Sequence, residues 1–303
     1  MEEDSLPTMD QLCQIVRKQI PGLSPADDDA MLCRFLRARN CDIAATVHML
    51  QEYLKWREET KPNSIDPTTV RISVLSCQAL FGGTIRGFPV AIVNPARYFP
   101  AACPPHIAVQ YVTWIFERIA ARAAHLGKDR WIVVINLAGM GYQNFSLPFI
   151  KNAAHILQNY YPERLEQAYI VNAPIFFRGM YALVRPFLHP NTQAKVLFTS
   201  ASQILPEAIP EYLGGTLKAY PKPGDTFERI LEFYGINPPQ DAPALSVIQN
   251  SPPPPAVPTE TESTTSIPGG EVAIDDSSVC APPDMSPTEL DAFNEELKAA
   301  AVK

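Results

Sequence analysis

The sequence lacks the short motifs that mark the commonest enzyme sites. Its five histidines show no metal-ligand spacing such as His-x-x-x-His, and no Gly-x-Ser-x-Gly elbow occurs. Neither a Gly-x-Gly-x-x-Gly fingerprint nor a phosphate-binding P-loop follows a predicted strand, which argues against a dinucleotide or nucleotide site. We therefore expect no catalytic activity, no cofactor and no metal ion.

The chain also lacks a transmembrane run, a cysteine framework and a basic binding surface. No apolar run reaches the roughly 18–20 residues of a membrane-spanning helix. The six cysteines include no Cys-x-x-Cys spacing and the N-terminus is polar and acidic, so reduced thiols in a cytoplasmic protein are expected. Because excess lysine and arginine are not clustered, no nucleic-acid partner is expected.

Charge is divided unevenly along the chain. The formal net charge of −7 arises from 25 basic and 32 acidic residues, of which two basic and ten acidic residues follow position 250. Four consecutive prolines at 252–255 and a Ser/Thr-rich stretch at 259–266 lie in the same part. Segment 240–303 is therefore predicted to be a disordered, Pro-rich acidic tail. A capping box beginning at Ser286 predicts a short helix at 287–301 within it.

Hydrophobic patterning predicts an α/β core. Apolar, β-branched runs alternate with helical patterns along the middle of the chain; the runs are 131–137, 168–173 and 195–200, and the helical patterns are 146–160 and 175–188. Near-continuous apolar strands separated by helices are typical of a parallel sheet covered by crossover helices.

The flanking segments are also patterned. Two strands at 79–85 and 88–94 are predicted to form a hairpin. Helices are predicted at 8–20, from Ser24 onward and at 43–58, which together indicate an N-terminal helical bundle.

The helix predicted at 175–188 is apolar on nearly every side. Arg178 and Arg185 are its only charges. A helix that covers a sheet needs one apolar stripe and not a full circumference, so this helix is expected to meet a second apolar surface. Burial beneath another layer of protein and contact with a lipid would each meet this expectation.

Several stretches resemble the CRAL-TRIO family of lipid-binding proteins. These stretches are DDAMLCRFLRARNCD at 28–42, KWR at 55–57, QNYYPERL at 158–165, YIVNAP at 169–174, RPFLHPNTQAKV at 185–196 and YLGG at 212–215. The likeness runs in order over residues 8–235 and points to the phosphatidylinositol-transfer branch of the family.

The resemblance implies an architecture and a function. The α/β CRAL-TRIO fold would comprise an N-terminal helical subdomain at 7–60 and a lipid-binding domain at 66–235. That domain would contain a mostly parallel sheet covered by helices, a hydrophobic lipid pocket, and helix 175–188 as a gate that swings open at the membrane. The protein would be a monomer that exchanges phosphatidylinositol, touches membranes transiently and presents the lipid to a lipid kinase.

The resemblance also implies a headgroup site. In the phosphatidylinositol-transfer members the headgroup is held by an Arg of the Arg-Ala-Arg stretch, the Glu of Pro-Glu-Arg and a Thr-x-x-Lys. The matching residues here are Arg39, Glu163, Thr192 and Lys195. A cation and a hydroxyl suit a phosphate, while a carboxylate can accept hydrogen bonds from inositol and pair with a cation.

The acyl chains would be enclosed by the gate. Each methylene kept from water contributes about 0.8 kcal/mol. The apolar residues that would form the pocket wall and gate are Phe176, Phe177, Met180, Tyr181, Leu183, Val184 and Phe187. The pair Gly214 and Gly215 matches a turn that closes the family's domain, where glycine tolerates a positive φ.

The sequence departs from the family where a second ligand would bind. Members that also carry phosphatidylcholine have Ser or Thr hydroxyls after an Asp-Leu-x-Gly strand, whereas 140–144 has none and Asn136 replaces the Asp. The second ligand thus stays open: another lipid, a sterol-like molecule or none. Two alternatives to phosphatidylinositol transfer also remain, a carrier of another hydrophobic molecule (sterol, heme or phosphatidylcholine) and a regulatory scaffold acting through the tail.

Overall fold

The computed structural model describes the two predicted folded parts but not the tail. It covers residues 7–20, 23, 29–174, 176–200, 209–211, 215–218 and 220–234. The predicted tail at 240–303, its helix at 287–301 and Gly214 lie outside these residues, as does the side chain of Arg178.

Three helices pack together at the N-terminus. They are α1 (Met9–Gln19), α2 (Asp29–Ala38) and α3 (Ile43–Thr60). The Thr8 hydroxyl accepts a hydrogen bond from the Gln11 backbone N–H in a capping box, and the Asp42 carboxylate caps α3 by accepting from the Ala45 N–H at 2.9 Å. Their facing sides bury an apolar cluster that includes Val16, Leu32, Phe35, Leu36 and Leu50. The predicted helical bundle is present.

A five-stranded sheet forms the centre of the second part. The strands are β1 (Ala79–Ile85), β2 (Phe88–Val93), β3 (Trp131–Asn136), β4 (Leu165–Val171) and β5 (Val196–Phe198), in the spatial order β1-β2-β3-β4-β5. Only the β1–β2 pair is antiparallel among the pairings of these strands. The hairpin turn takes a positive φ at both central residues, Arg86 at 52° and Gly87 at 77°, as a two-residue turn that follows the strand twist requires.

Helices connect the parallel strands. The chain passes through a 3-10 turn (Pro62–Ser64) and α4 (Arg71–Leu75) before the hairpin, and a second 3-10 turn (Pro95–Arg97) follows it. Helix α5 (Pro105–His125) joins β2 to β3, and a 3-10 turn (Tyr142–Asn144) and α6 (Leu147–Tyr160) join β3 to β4. Helix α9 (Phe227–Phe233) lies near the end of the described chain. The predicted parallel core with crossover helices is confirmed.

The helix predicted at 175–188 is shorter and divided. Helix α7 spans Phe177–Val184, a 3-10 turn spans Arg185–Phe187, and α8 (Pro190–Gln193) leads into β5. The prediction of one continuous helix was wrong because Pro186 has no N–H to donate and its ring clashes with the carbonyl four residues earlier. The predicted strand 195–200 is likewise shortened, to Val196–Phe198.

The sheet separates apolar clusters on its two faces. On one face, side chains from β3, β4 and β5 meet Met180 and Tyr181 of α7, and the same face carries a large cluster around Trp114, Ile119 and Trp131. On the other face, alternate strand residues such as Ile132 form a separate cluster. No helix in the described part of the chain is long and apolar enough to cross a membrane.

Candidate functional site

A cavity of about 200 Å³ lies where the helical bundle meets the sheet domain. Its walls are Ala38, Arg39, Leu157, Gln158, Asn159, Tyr161, Pro162, Glu163, Leu165, His189, Thr192 and Lys195. All four residues predicted for the headgroup site, Arg39, Glu163, Thr192 and Lys195, line this one cavity. They come from segments far apart in the chain, so the fold alone brings them together.

Arg39 reaches the cavity from the turn after α2. Asn40 and Cys41 take positive φ angles of 51° and 62°, which reverse the chain between α2 and α3 and leave Arg39 at the corner. The Arg39 guanidinium donates to the Ala38 carbonyl oxygen at 3.2 Å and to Asn159 Oδ1 on α6 at 3.4 Å. The contact with Asn159 is long for a hydrogen bond and the one with Ala38 is at the upper end of the usual range, so a phosphate could compete for these donors.

Glu163 and Lys195 form an ion pair on the cavity wall. Lys195 Nζ lies 3.4 Å from Glu163 Oε2, with 24% and 20% of the two side chains exposed. Glu163 has a φ of 56°, in the left-handed region that is uncommon for residues other than glycine. Such conformations cost free energy and cluster at functional sites. The turn after α6 therefore holds the carboxylate in a strained backbone position facing the cavity.

Thr192 and Lys195 lie on either side of the end of α8. The His189 side chain caps α8 by accepting from the Asn191 N–H at 3.3 Å. The Lys195 N–H donates to the Thr192 carbonyl oxygen at 3.1 Å, which keeps the two residues within one helical turn. The cavity thus carries two basic side chains, Arg39 and Lys195, against the single carboxylate of Glu163, an excess of positive charge that favours an anionic group.

The cavity residue Tyr161 belongs to a partly buried polar network. Tyr161 Oη donates to Glu117 Oε1 at 2.6 Å, and Arg57 Nη1 lies 2.7 Å from the same oxygen. Burial, and next the neighbouring Glu117 carboxylate, raise the pKa of Tyr161 above its ordinary value. Trp56 of α3 also stacks on Tyr160 of α6, with centroids 4.2 Å apart and planes 9° apart. These contacts hold the bundle against the cavity wall.

Helix α7 packs on the sheet with one side and exposes the other. Met180 and Tyr181 are buried, and the Tyr181 ring meets Phe198 edge-on at 5.4 Å between centroids. Leu183 is 56% exposed and Phe187 38% exposed. The remaining residues proposed for the gate, Phe176, Phe177 and Val184, are half-buried. The two-sided apolar character expected from the sequence is therefore divided between a packed side and an exposed side.

Two glutamines fasten the segment after α7 to the cavity. Gln158 Nε2 donates to the Phe187 carbonyl oxygen at 2.9 Å, while its Oε1 accepts from the His189 N–H. Gln193 Nε2 donates to the Leu188 carbonyl oxygen at 2.7 Å, and its Oε1 accepts from Arg185 Nε at 2.9 Å. The segment that follows α7 is therefore hydrogen-bonded directly to residues on or beside the cavity wall.

Comparison with known proteins gives several matches. The model of the CRAL/TRIO domain matches residues 76–215. A CRAL-TRIO domain-containing protein of Saccharomyces cerevisiae is 30% identical over 231 residues, which cover 66% of this chain and 74% of that protein. The chain belongs to the CRAL-TRIO family. This is a lipid-binding and transfer family, and its members are generally carriers and not enzymes.

Other CRAL-TRIO relatives include a member of the phosphatidylinositol-transfer branch and, at equal identity, a protein named for tocopherol transfer. The SEC14 cytosolic factor of Candida glabrata is 29% identical over 221 residues, covering 64% of this chain and 72% of the relative. The human alpha-tocopherol transfer protein-like protein is 29% identical over 219 residues, covering 68% of this chain and 64% of the relative. The crystal structure of Sfh5 shares the fold, with a TM-score of 0.57, 19% identity and coverage of 73% and 91% of the two chains.

The structure shows the surroundings of two family positions, Asn136 at the end of β3 and Gly215 in the closing turn. Asn136, which replaces the family's Asp, is buried at the end of β3, where its Oδ1 accepts from Asn172 Nδ2 at 2.8 Å and from the Ala138 N–H at 3.2 Å. A neutral amide therefore takes the place of the family's carboxylate at the end of β3 and joins it by a hydrogen bond to the residue after β4. Of the two glycines predicted for the closing turn, Gly215 is described, and its N–H donates to the Pro210 carbonyl oxygen at 2.9 Å.

Sequence reasoning missed several cavity residues. Gln158 and Asn159 lie in the stretch that carried the CRAL-TRIO resemblance, and His189 lies in another, but no spacing rule identified their side chains. The contribution of α6 to this wall becomes visible only in the folded structure, where Asn159 contacts Arg39, 120 residues away in the chain. Within the described residues, no group of three His, Cys, Asp or Glu side chains could hold a metal ion.

Proposed function

We propose that this CRAL-TRIO protein binds phosphatidylinositol and exchanges it between membranes. The observation that carries the proposal is the meeting of Arg39, Glu163, Thr192 and Lys195 in one cavity. Two cations and a hydroxyl offer charge-assisted hydrogen bonds to the phosphodiester. Glu163 offers acceptor oxygens to the inositol hydroxyls, and its pairing with Lys195 keeps the carboxylate from being an isolated charge when the cavity is empty.

In this proposal α7 is the gate, and the acyl chains occupy the region between α7 and the sheet. The side of α7 that now packs on Phe198 would become the lipid-facing wall. Exposed Leu183 and Phe187, with Tyr142 at 71% exposure, would contact the bilayer interface during exchange. The ring of Tyr142 lies 4.7 Å from that of Phe176, so this residue outside the predicted set extends the same apolar surface.

The setting follows from the same proposal. The protein would be a cytoplasmic monomer that contacts membranes transiently and presents phosphatidylinositol to a lipid kinase. The name of the relative SEC14 cytosolic factor supports the cytoplasmic location. The folded parts would be the helical subdomain at 7–60 and the lipid-binding domain at 66–235, with the acidic tail as a separate segment.

A second candidate is a carrier of a different hydrophobic molecule. The relative named alpha-tocopherol transfer protein-like, at 29% identity, favours it. The two candidates differ in the cavity, since a ligand without a phosphate lacks the negative charge that Lys195 and Arg39 would pair with.

The test is transfer of radiolabelled lipids between donor and acceptor vesicles, with phosphatidylinositol and α-tocopherol assayed in parallel. We expect wild-type protein to transfer phosphatidylinositol and Thr192→Val to transfer it several-fold more slowly, because the isosteric change removes one hydroxyl donor. Transfer of α-tocopherol alone, unaffected by Thr192→Val, would favour the second candidate and contradict the first.

A further inference from the structure

Two cysteine thiols meet inside the N-terminal bundle. Cys13 of α1 and Cys33 of α2 have their Sγ atoms 3.4 Å apart, although they are 20 residues apart in the chain. Cys13 is 2% exposed, and Cys33 is half-buried. Both lie in the apolar cluster shared by the three helices. At 3.4 Å the two sulfur atoms are already in contact with each other.

A second contact between α1 and α2 holds the two thiols opposite each other. Arg17 Nη2 lies 2.7 Å from Asp29 Oδ1. Arg17 follows Cys13 by four residues and Asp29 precedes Cys33 by four, so each pair lies on one face of its helix, one turn apart. The ion pair and the thiol contact therefore define one antiparallel register between α1 and α2. This register restricts sliding of the helices, which would separate the sulfurs.

We propose that Cys13 and Cys33 form a redox modification site, at which a hydroperoxide converts the thiol pair into a disulfide joining α1 to α2. A disulfide has an S–S distance of about 2.05 Å, so the two sulfurs must approach by about 1.4 Å in total. The inference is independent of the lipid that the protein carries.

The reaction proceeds in two balanced steps. With hydrogen peroxide as the oxidant, the Cys33 thiolate attacks one of its oxygens, so that an S–O bond forms, the O–O bond breaks, and hydroxide leaves and takes up a proton as water. Cys33 is then a sulfenic acid, oxidised by two electrons. The sulfur of Cys13 next attacks the Cys33 sulfur; the S–S bond forms, the S–O bond breaks, and the departing hydroxide takes the thiol proton of Cys13 to give a second water.

Exposure assigns the two roles. Cys33 is the more accessible thiol and meets the peroxide first. Burial, together with the adjacent Cys33, raises the pKa of Cys13 to about 12, so Cys13 is a poor nucleophile towards peroxide. It acts second, when its proton can pass to the hydroxide that leaves Cys33. Cys77 and Cys103 are 0% and 2% exposed, and the Cys103 Sγ lies 3.6 Å from the Ser73 hydroxyl oxygen. Cys41 is exposed and provides an internal comparison for non-specific oxidation.

Peptide mapping of the full-length chain tests the proposal. Reduced protein is treated with hydrogen peroxide, its remaining thiols are alkylated under denaturing conditions, and it is digested with trypsin without reductant. The chain can be cut after Arg17, Lys18, Arg34 and Arg39, so Cys13, Cys33 and Cys41 fall in three different peptides. We expect a crosslinked species of the Cys13 and Cys33 peptides that disappears on reduction, with Cys77 and Cys103 recovered alkylated.

Matched variants and a stability readout complete the test. Cys13→Ser should leave Cys33 oxidised but not crosslinked, and Cys33→Ser should leave Cys13 unmodified. Since closing a 20-residue loop restricts the unfolded chain, peroxide should raise the Tm of wild-type protein by several degrees but not that of Cys33→Ser. The proposal is overturned if Cys33 crosslinks to Cys41 or Cys280, or if it is oxidised to the sulfinic acid with Cys13 still free.

Discussion

Lys195→Met should separate the charge of this side chain from its packing, because methionine keeps most of the stem and loses the ammonium. Lys195 is 24% exposed and its Nζ lies 3.4 Å from Glu163 Oε2 on the cavity wall. A hydrogen bond to a charged group contributes about 1.5–3 kcal/mol, and partial exposure places this contact at the lower end. At about 1.4 kcal/mol per factor of ten, we expect the affinity for phosphatidylinositol to fall about tenfold.

The assay is equilibrium binding of a fluorescent phosphatidylinositol, with Lys195→Arg and Lys222→Met as comparison variants. Lys195→Arg should retain most of the affinity, whereas Lys222→Met should match wild type because Lys222 is exposed in the turn before α9. Glu163→Gln should lower the affinity for phosphatidylinositol less in the Lys195→Met background than in the wild type. In Lys195→Met the Glu163 carboxylate has lost its lysine partner and repels the phosphate, and the second substitution removes that repulsion. If Lys195→Met folds with an unchanged Tm and binds within twofold of wild type, the proposed headgroup role is wrong.

Three further predictions follow from local features. Leu183→Glu should weaken association with vesicles and leave the Tm nearly unchanged, because Leu183 is 56% exposed, while Ile72→Glu, at 43% exposure and off α7, should have no effect on vesicle association. Glu163→Gly should raise the free energy of unfolding by roughly 1 kcal/mol, since it relieves a φ of 56°, yet lower phosphatidylinositol binding; a lower Tm would contradict the strain argument. Because the pKa of Tyr161 is raised in the folded state, its contribution to stability is present below the unfolded pKa of about 10 and is lost as pH rises beyond it. Urea unfolding at increasing alkaline pH should therefore show a smaller decline in Tyr161→Phe than in wild type, and equal declines would exclude this contribution.

The sequence was sufficient for the elements whose causes are local. Asp42 is an N-cap because its carboxylate meets an N–H three residues later, and Arg86-Gly87 turns the hairpin because its two residues take positive φ angles. The alternation of apolar runs and helical patterns was enough to predict β3, β4 and β5 as parallel strands. The cap and the turn depend on neighbours within a few residues, and the strand prediction depends on periodicity along the chain.

The error in the gate helix came from weighing apolar periodicity above a local rule. Because of Pro186, α7 ends at Val184. The apolar pattern continues through Phe187 and Leu188, so periodicity alone predicted one longer helix. The side chains after this break are held by Gln158 and Gln193, whose hydrogen bonds no sequence pattern indicates.

The residues of the candidate site could be named from the sequence, but their arrangement could not. Its four principal residues were named from the family resemblance, since nothing in their spacing would join Arg39 to Thr192. Their shared cavity depends on how α2, α6 and α8 pack. The neighbouring network of Tyr161, Glu117 and Arg57 joins residues up to 104 positions apart in the sequence. Such tertiary contacts are decided by the packing of whole elements and not by local pattern.

The most direct measurement is mass spectrometry of the lipids that co-purify with the full-length protein, beside Arg39→Ala and Lys195→Ala prepared in the same way. The account expects phosphatidylinositol in the wild-type sample and its selective loss from both variants, because each substitution removes one of the two cations of the cavity. A different ligand, retained equally by all three proteins, would leave the CRAL-TRIO fold intact and contradict the phosphatidylinositol site.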